Sequence, residues 1–446
     1  MGSNKITRRR IIGTVTTVLV AAATLGFILV FGCSNKNKDK PTSNKEFFIG
    51  IYVPPQPHLL KTEDDIRMRF KQVADAGINR IWGFFPYGGD NETTPLVLDA
   101  CAEYGLGFLP YLSLEREGAG DVEAELVRCL ARVNKYKDHP GVCGFSLNDE
   151  PRASAFDRMA VVRREVDAIL PEGKYSFSNL FPNYATEAQL GSNSYEEHVD
   201  DYIRKVQPKV LCFDHYPLRP DQQNDWRYEI DFVSNFITIR NASLKYDVPF
   251  LGFIQAIGWT GAREPNYDEY RWLCNAHIVF GAKGFSYFLY AMPYDGGGPE
   301  GFTNAMLDWN GNLTYLYDYA KNINKELAGY THIVMKSKQD GFILVNQDVQ
   351  MMETIPQNLR KTSYGNLSGI ETSGAMMNGC FDLDDGRKAV LLFNWNKSDS
   401  MNAKLIFKKK EKYEIWGKEG CERKDKTSEL DLSFFPGEAK FLLFGS

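Results

Sequence analysis

Chemistry in this chain is concentrated in one short run, Asn148-Asp149-Glu150-Pro151. Two adjacent carboxylates at the end of an apolar stretch are costly unless they are hydrogen-bonded, charge-paired or used. The negative charge of Asp149 tends to raise the pKa of Glu150, which suits Glu150 to donate a proton as a general acid. A second carboxylate that could work with it is Asp214, in Phe213-Asp214-His215-Tyr216-Pro217. Asp214 also has a plain reading as a structural carboxylate bonded to nearby backbone. Glu300, in the glycine-rich stretch 295–301, is a further candidate, because such loops after strands serve as lids. The six histidines are scattered without a paired-ligand motif, and the eight cysteines show no CxxC spacing. No metal or cofactor is expected, and no disulfide framework.

The elements that must position these residues follow from the alternation along the chain. From Glu46 to about Val334, short apolar runs alternate with stretches of helical period. Strands are predicted at Phe47–Val53, Arg80–Phe85, Gly107–Leu112, Val142–Leu147, Tyr175–Leu180, Val210–Phe213, Phe250–Gln255 and Phe285–Tyr290. Eight strands, each leading into a helix, are the count of a (β/α)8 TIM barrel. An open doubly wound sheet would carry a glycine-rich phosphate turn after its first strand. Here the first strand runs into Pro54-Pro55-Gln56-Pro57 instead. After Val334 the pattern changes to short strands with turns such as Asp385-Gly386, which predicts a C-terminal antiparallel β-sandwich domain over 335–446.

In a barrel of this kind the active site sits at the C-terminal ends of the strands. That rule puts Asn148, Asp149 and Glu150 at the mouth after strand four, and Asp214, His215 and Tyr216 after strand six. Trp82, Trp259 and Tyr287 are candidate aromatic platforms for a sugar ring, although each such residue alone is more often core. Tyr52, Tyr111, Asn179 and Tyr290 also follow or end strands. Arg80 and Arg152 could position carboxylates or hold a uronate, and local ion pairing is their ordinary role.

Here the chain resembles a family group. Asn148-Asp149-Glu150-Pro151 is similar to the acid/base motif of clan A glycoside hydrolases. Gly284-Phe285-Ser286-Tyr287-Phe288 and Leu307-Asp308-Trp309-Asn310-Gly311 resemble the barrel ends of their β-galactosidase-like members. The resemblance implies an oligo- or polysaccharide substrate, Glu150 as acid/base, and a nucleophilic Glu at the end of strand seven. This sequence departs there. Strand seven ends in Gln255, and an amide cannot form a stable glycosyl ester. Gln255 is then expected to hydrogen-bond sugar hydroxyls, with Asp214 as the preferred second carboxylate for a hydrolase. The alternative is a barrel that binds glycan without cleaving it.

The first 33 residues read as an export signal. Lys5, Arg8, Arg9 and Arg10 precede an apolar run from Ile11 to Phe31. Val30-Phe31-Gly32-Cys33 resembles a bacterial lipobox, which implies lipidation at Cys33 and a membrane attachment through that lipid at the bacterial cell envelope. A plain membrane-spanning anchor is the other reading, since the run approaches the roughly 20 residues needed to span a bilayer. Residues 34–45 read as a flexible tether. A net charge of −5 gives no reason to expect a nucleic-acid partner.

Overall fold

The computed structural model describes residues 46–83, 91–221 and 225–445. Cys33 and the tether at 34–45 lie outside the described residues. Strands β1 (Phe48–Tyr52), β2 (Arg80–Gly83), β3 (Gly107–Pro110), β4 (Gly144–Asp149), β5 (Tyr175–Leu180), β6 (Leu211–Asp214), β7 (Phe250–Gln255) and β8 (Gly284–Phe288) form one parallel sheet. Their order is β3-β2-β1-β8-β7-β6-β5-β4. The ends meet through Cys143 N donating to Phe108 O at 3.0 Å and Leu112 N donating to Ser146 O at 2.7 Å. The sheet is therefore closed into the expected (β/α)8 barrel.

Alternation along each strand splits its side chains between two cores. Phe48, Trp82, Leu109, Phe177, Leu251 and Phe253 pack together inside the barrel. Ile49, Ile51, Phe108, Phe145, Phe213 and Phe285 face outward to the helix layer. That layer comprises α1 (Glu63–Asp75), α2 (Thr93–Glu103), α3 (Val122–Tyr136), α4 (Phe156–Ile169), the short α5 (Glu187–Leu190), α6 (Tyr195–Val206), α7 (Asp225–Tyr246), α8 (Tyr267–Val279) and α9 (Tyr315–Ala328). Local sequence sets several starts. Thr62 and Asp65 close a capping box on α1, and Asn266 and Glu269 close one on α8.

The C-terminal part is a seven-stranded, sandwich-like antiparallel sheet. It comprises β9 (Ser337–Val345), β10 (Leu367–Thr372), β11 (Met376–Leu383), β12 (Lys388–Phe393), β13 (Met401–Gly417), β14 (Gly420–Phe434) and β15 (Ala439–Phe444). Sequence reading separates Ala403–Phe407 from Tyr413–Trp416, but both belong to β13. Register shifts between Ile406 and Tyr413 bend this strand, so that it pairs first with β10 and then with β15. The charged residues Lys408–Lys412 sit at that bend, mostly exposed. One face of the sheet, with Phe381, Leu391 and Phe441, joins the core around Trp272 and Phe280 of the barrel. The other face, with Val390, Leu405 and Leu442, forms a core of its own.

The sheet is tied directly to α8. Asn275 Nδ2 donates to Gly437 O at 2.9 Å and Arg271 Nε donates to Pro436 O at 2.9 Å. Gly437 has φ +64°, and a Cβ there would lie 2.8 Å from the backbone of Asp268 and Trp272. Only glycine allows that approach.

Candidate active site

The site begins with an irregularity in β4. Ser146 pairs with Phe177 of β5, while Asp149 pairs with Asn179, so β4 carries one more residue than its neighbour over this stretch. The extra residue reverses the alternation, a use of bulges common beside functional sites. Leu147 and Asn148 both lie on the helix side: Leu147 belongs to the outer core, and Asn148 is fully buried with Nδ2 3.6 Å from Met159 Sδ of α4. Asp149 consequently shares the inward face with Asn179, whose Nδ2 donates to Asp149 Oδ1 at 3.1 Å. The Tyr111 hydroxyl accepts a hydrogen bond from the Asp149 backbone.

Glu150 follows with φ +50°, and its N–H donates to Asn179 O at 2.9 Å. Val53 and Ser113, which follow β1 and β3, have φ +59° and +54°. Such left-handed non-glycine residues cost about 1–3 kcal/mol each and gather at functional sites. Three of them rim one mouth here. The Glu150 side chain is 30% exposed, so it can reach a ligand. Arg116 Nη2, from the stretch after β3, lies 3.2 Å from Glu150 O and 3.5 Å from Glu150 Oε2.

Asp214 ends β6 and is 8% exposed. Its Oδ1 is buried without a hydrogen-bond partner. Burial and the charge of Asp149 push the Glu150 carboxyl up to about 7, with Arg116 opposing. Burial, then Glu150 and Asp149, push Asp214 well above the usual carboxylate range, with Asn179 opposing. Asp149 is raised by burial, against its bond from Asn179 and the charge of Arg116. The half-exposed Arg116 is too weak a partner to hold three carboxylates ionised. Glu150 therefore titrates close to neutral pH, and Asp149 and Asp214 beside it are both displaced upward.

The remaining expected residues divide sharply. Trp259, partly exposed, and Tyr216, 8% exposed, meet edge to face with ring centroids 5.1 Å apart, and both rings pack on Phe288. Trp82 does not line the mouth. It is fully buried between Phe177 and Phe253, with centroids at 4.9 and 5.0 Å, and plugs the barrel below. Asn148 is turned away by the bulge. His215 points to α7, with Nδ1 3.0 Å from Asn235 Oδ1. Tyr287 also faces the helices, donating to Asn324 Oδ1 at 2.7 Å. Gln255 is not free to meet a sugar. Its Nε2 donates to Leu218 O at 2.9 Å and Arg263 O at 2.8 Å, and its Oε1 accepts from Leu218 N at 2.9 Å. It ties together the loops after β6 and β7.

Glu300 has an exposed side chain, and its carbonyl accepts from Thr260 N at 2.9 Å. Its neighbourhood is further pinned by Thr303 N donating to Gly258 O at 2.9 Å. Arg80 lies at the opposite end of the barrel, 3.7 Å from Glu46, and Arg152 pairs with Glu117 at 2.6 Å. Neither is placed for a uronate in this mouth. Sequence reasoning missed Arg116 and Tyr184. Arg116 is the lone cation in Glu115-Arg116-Glu117, and Tyr184 follows Pro182 just after β5. Tyr184 is 42% exposed, its hydroxyl is pushed up by burial and then Asp214, and Arg219 lies over its ring at 5.1 Å, so an aromatic ring and a cation stand together beside the carboxylates.

Among the described residues no group of three or more His, Cys, Asp or Glu could hold a metal ion. No protein-family model matches the chain, and no curated protein sequence matches it. Solved structures do match, and they share the fold. A β-galactosidase from Bacillus circulans sp. alkalophilus superposes with a TM-score of 0.60 at 8% identity, over 90% of this chain and 99% of the other. A family 5 glycoside hydrolase from Bacteroides vulgatus gives 0.53 at 13% identity, over 89% of each chain. The chain covers 61% of the β-galactosidase of the psychrophilic Marinomonas ef1, which covers 65% of it in turn, at 10% identity and a TM-score of 0.48. The likeness is one of fold, a parallel eight-stranded barrel with an antiparallel β-domain.

Proposed function

We propose that this protein hydrolyses glycosidic bonds, with Glu150 as general acid and Asp214 as the second carboxylate. The observation that carries this reading is the clustering of Asp149, Glu150 and Asp214 at the barrel mouth, where burial and the charge of Asp149 push Glu150 up to about 7. A carboxyl that titrates close to neutral pH is what general-acid catalysis of hydrolysis requires. Strands β4 and β6 are separated by one strand, which sets their ends about 10 Å apart at about 4.8 Å per neighbour. Side chains converging from that span suit the roughly 6.5–9.5 Å separation of an inverting pair. Glu150 gives its proton to the glycosidic oxygen as the bond to the anomeric carbon breaks. Water adds to that carbon from the opposite face and passes its proton to Asp214. Asp149 orients the sugar, and Trp259, Tyr216 and Tyr184 offer apolar faces to its ring.

Release of reducing ends from a polysaccharide panel, with Glu150→Gln as control, tests this function. An unmodified protein that releases none from any glycan refutes it. The immobilised amide of Gln255 supports a second reading, a barrel that binds glycan without turnover. Retained glycan affinity without release would establish that reading instead.

The envelope location is part of the same proposal. Cys33 carries the lipid in this reading, which rests on the Val30-Phe31-Gly32-Cys33 sequence. Labelled fatty acid should be incorporated in bacterial cells and lost on Cys33→Ala. Incorporation that survives this substitution would argue against the assignment.

A further inference from the structure

We propose that the sugar seated at Asp214 and Asn179 carries a free amino group, which makes the preferred ligand a hexosamine. The inference rests on the mouth being a sugar site, as proposed above, and adds the chemical class of the sugar. Its first support is a shortage of donors. Asp214 Oδ1 and Asn179 Oδ1 are both buried without hydrogen-bond partners, in residues only 8% and 3% exposed. Turning the Asn179 amide over would not help. Its Nδ2 already serves Asp149, and the reversed amide would set oxygen against oxygen there. A buried acceptor left unpaired costs about 1–3 kcal/mol. What completes this wall is therefore a group rich in donors.

The second support is charge. Among the described residues, the three carboxyl groups of Asp149, Glu150 and Asp214 stand against two cations, Arg116, half exposed and 3.5 Å from Glu150, and Arg219, whose guanidinium lies over the Tyr184 ring at 5.1 Å from its centroid. Other cations of the rim are already engaged, Arg152 by Glu117 and Arg263 by Glu269 and Asp225. The stretches 181–194 and 293–308, which follow β5 and β8, contain acidic residues and no Lys or Arg. A concave site with an excess of one sign of charge concentrates the opposite sign. An ammonium brings three donors, no acceptor and a positive charge. A hydroxyl brings one donor, an N-acetyl group adds a carbonyl acceptor, and a uronate adds a repelled carboxylate.

The test is direct binding to the full chain at neutral pH. It compares glucosamine and galactosamine with glucose, galactose, their N-acetylated amines and the matching uronic acids. We expect the amino sugars to bind at least about tenfold more tightly than the neutral sugars, because charge-assisted hydrogen bonds are roughly twice as strong as neutral ones. The preference should shrink at high ionic strength, a measurement that needs no variant. It should also disappear in Asp214→Asn. Equal affinity for neutral sugars, tighter binding of a uronate, or binding of none of them overturns the proposal. The two readings fail separately. Amino-sugar binding without hydrolysis removes only the hydrolase function, and hydrolysis of neutral glycans without amine preference removes only this inference.

Discussion

Asn179 Nδ2 stands 3.1 Å from Asp149 Oδ1, and the same two residues are register partners across β5 and β4. This bond exists because a bulge turns Asp149 inward while Asn148 turns out to Met159. The residue after the bulge, Glu150, is thereby delivered to the open rim. Its chemistry follows from that placement.

Replacing Glu150 with Gln keeps the shape and removes the proton donor. Turnover should fall by about 10²- to 10⁴-fold, the usual contribution of a general acid. Sugar affinity measured on the same variant should survive.

The pH dependence has a definite sign. An acid that titrates at about 7 is lost as the pH rises through that value, so activity should fall on the alkaline side. Stability should move the same way. The folded-state value lies above the ordinary 4.5, so this group's stabilising contribution is complete below about 4.5 and is lost as the pH rises through about 7. Glu150→Gln removes that dependence. The variant should melt higher than the unmodified protein at pH 8, relative to their difference at pH 4.5, as thermal scans will show.

Arg116 opposes the rise of Glu150 from a half-exposed position. Arg116→Leu should shift the alkaline limb of the rate profile upward, on the order of half a pH unit for so exposed a pair. The melting temperature should barely change. A downward shift of the limb would contradict the placement of this cation.

Gln255→Glu is the obvious attempt to install a strand-seven nucleophile, and it should fail. The new carboxylate would face the carbonyls of Leu218 and Arg263, to which the amide now donates. Losing both bonds in a buried site should cost about 3–5 kcal/mol. The expected result is a large drop in melting temperature with no gain in activity.

The barrel was legible in the sequence because its signal is repeated. Apolar runs such as Tyr175–Leu180 and Phe250–Gln255 coincide with observed strands end to end. Glu150 was legible for the same reason, as a carboxylate just past such a run. The direction of neighbouring side chains was not. Strict alternation puts Asn148 inside the barrel, and the one-residue bulge that reverses it leaves no mark in residue type. Tyr287 and His215 look like rim residues, yet parity turns both toward the helices. Gln255 showed what was missing at strand seven, but not the three hydrogen bonds that hold it in place. Arg116 sits in a polar stretch where nothing local distinguishes a contact from a solvated charge.

Helix α8 has no solvent-facing side from Glu269 to Val279. Barrel strands cover one flank and the β-domain the other, through Asn275, Arg271 and the close approach of Gly437. The C-terminal domain is therefore no detachable module. A chain cut after Val334 would leave Trp272 and Phe280 bare and would tend to aggregate instead of acting as a minimal enzyme. Heating should melt barrel and sheet in one cooperative step, and any swap of the β-domain would have to preserve the glycine contact on α8.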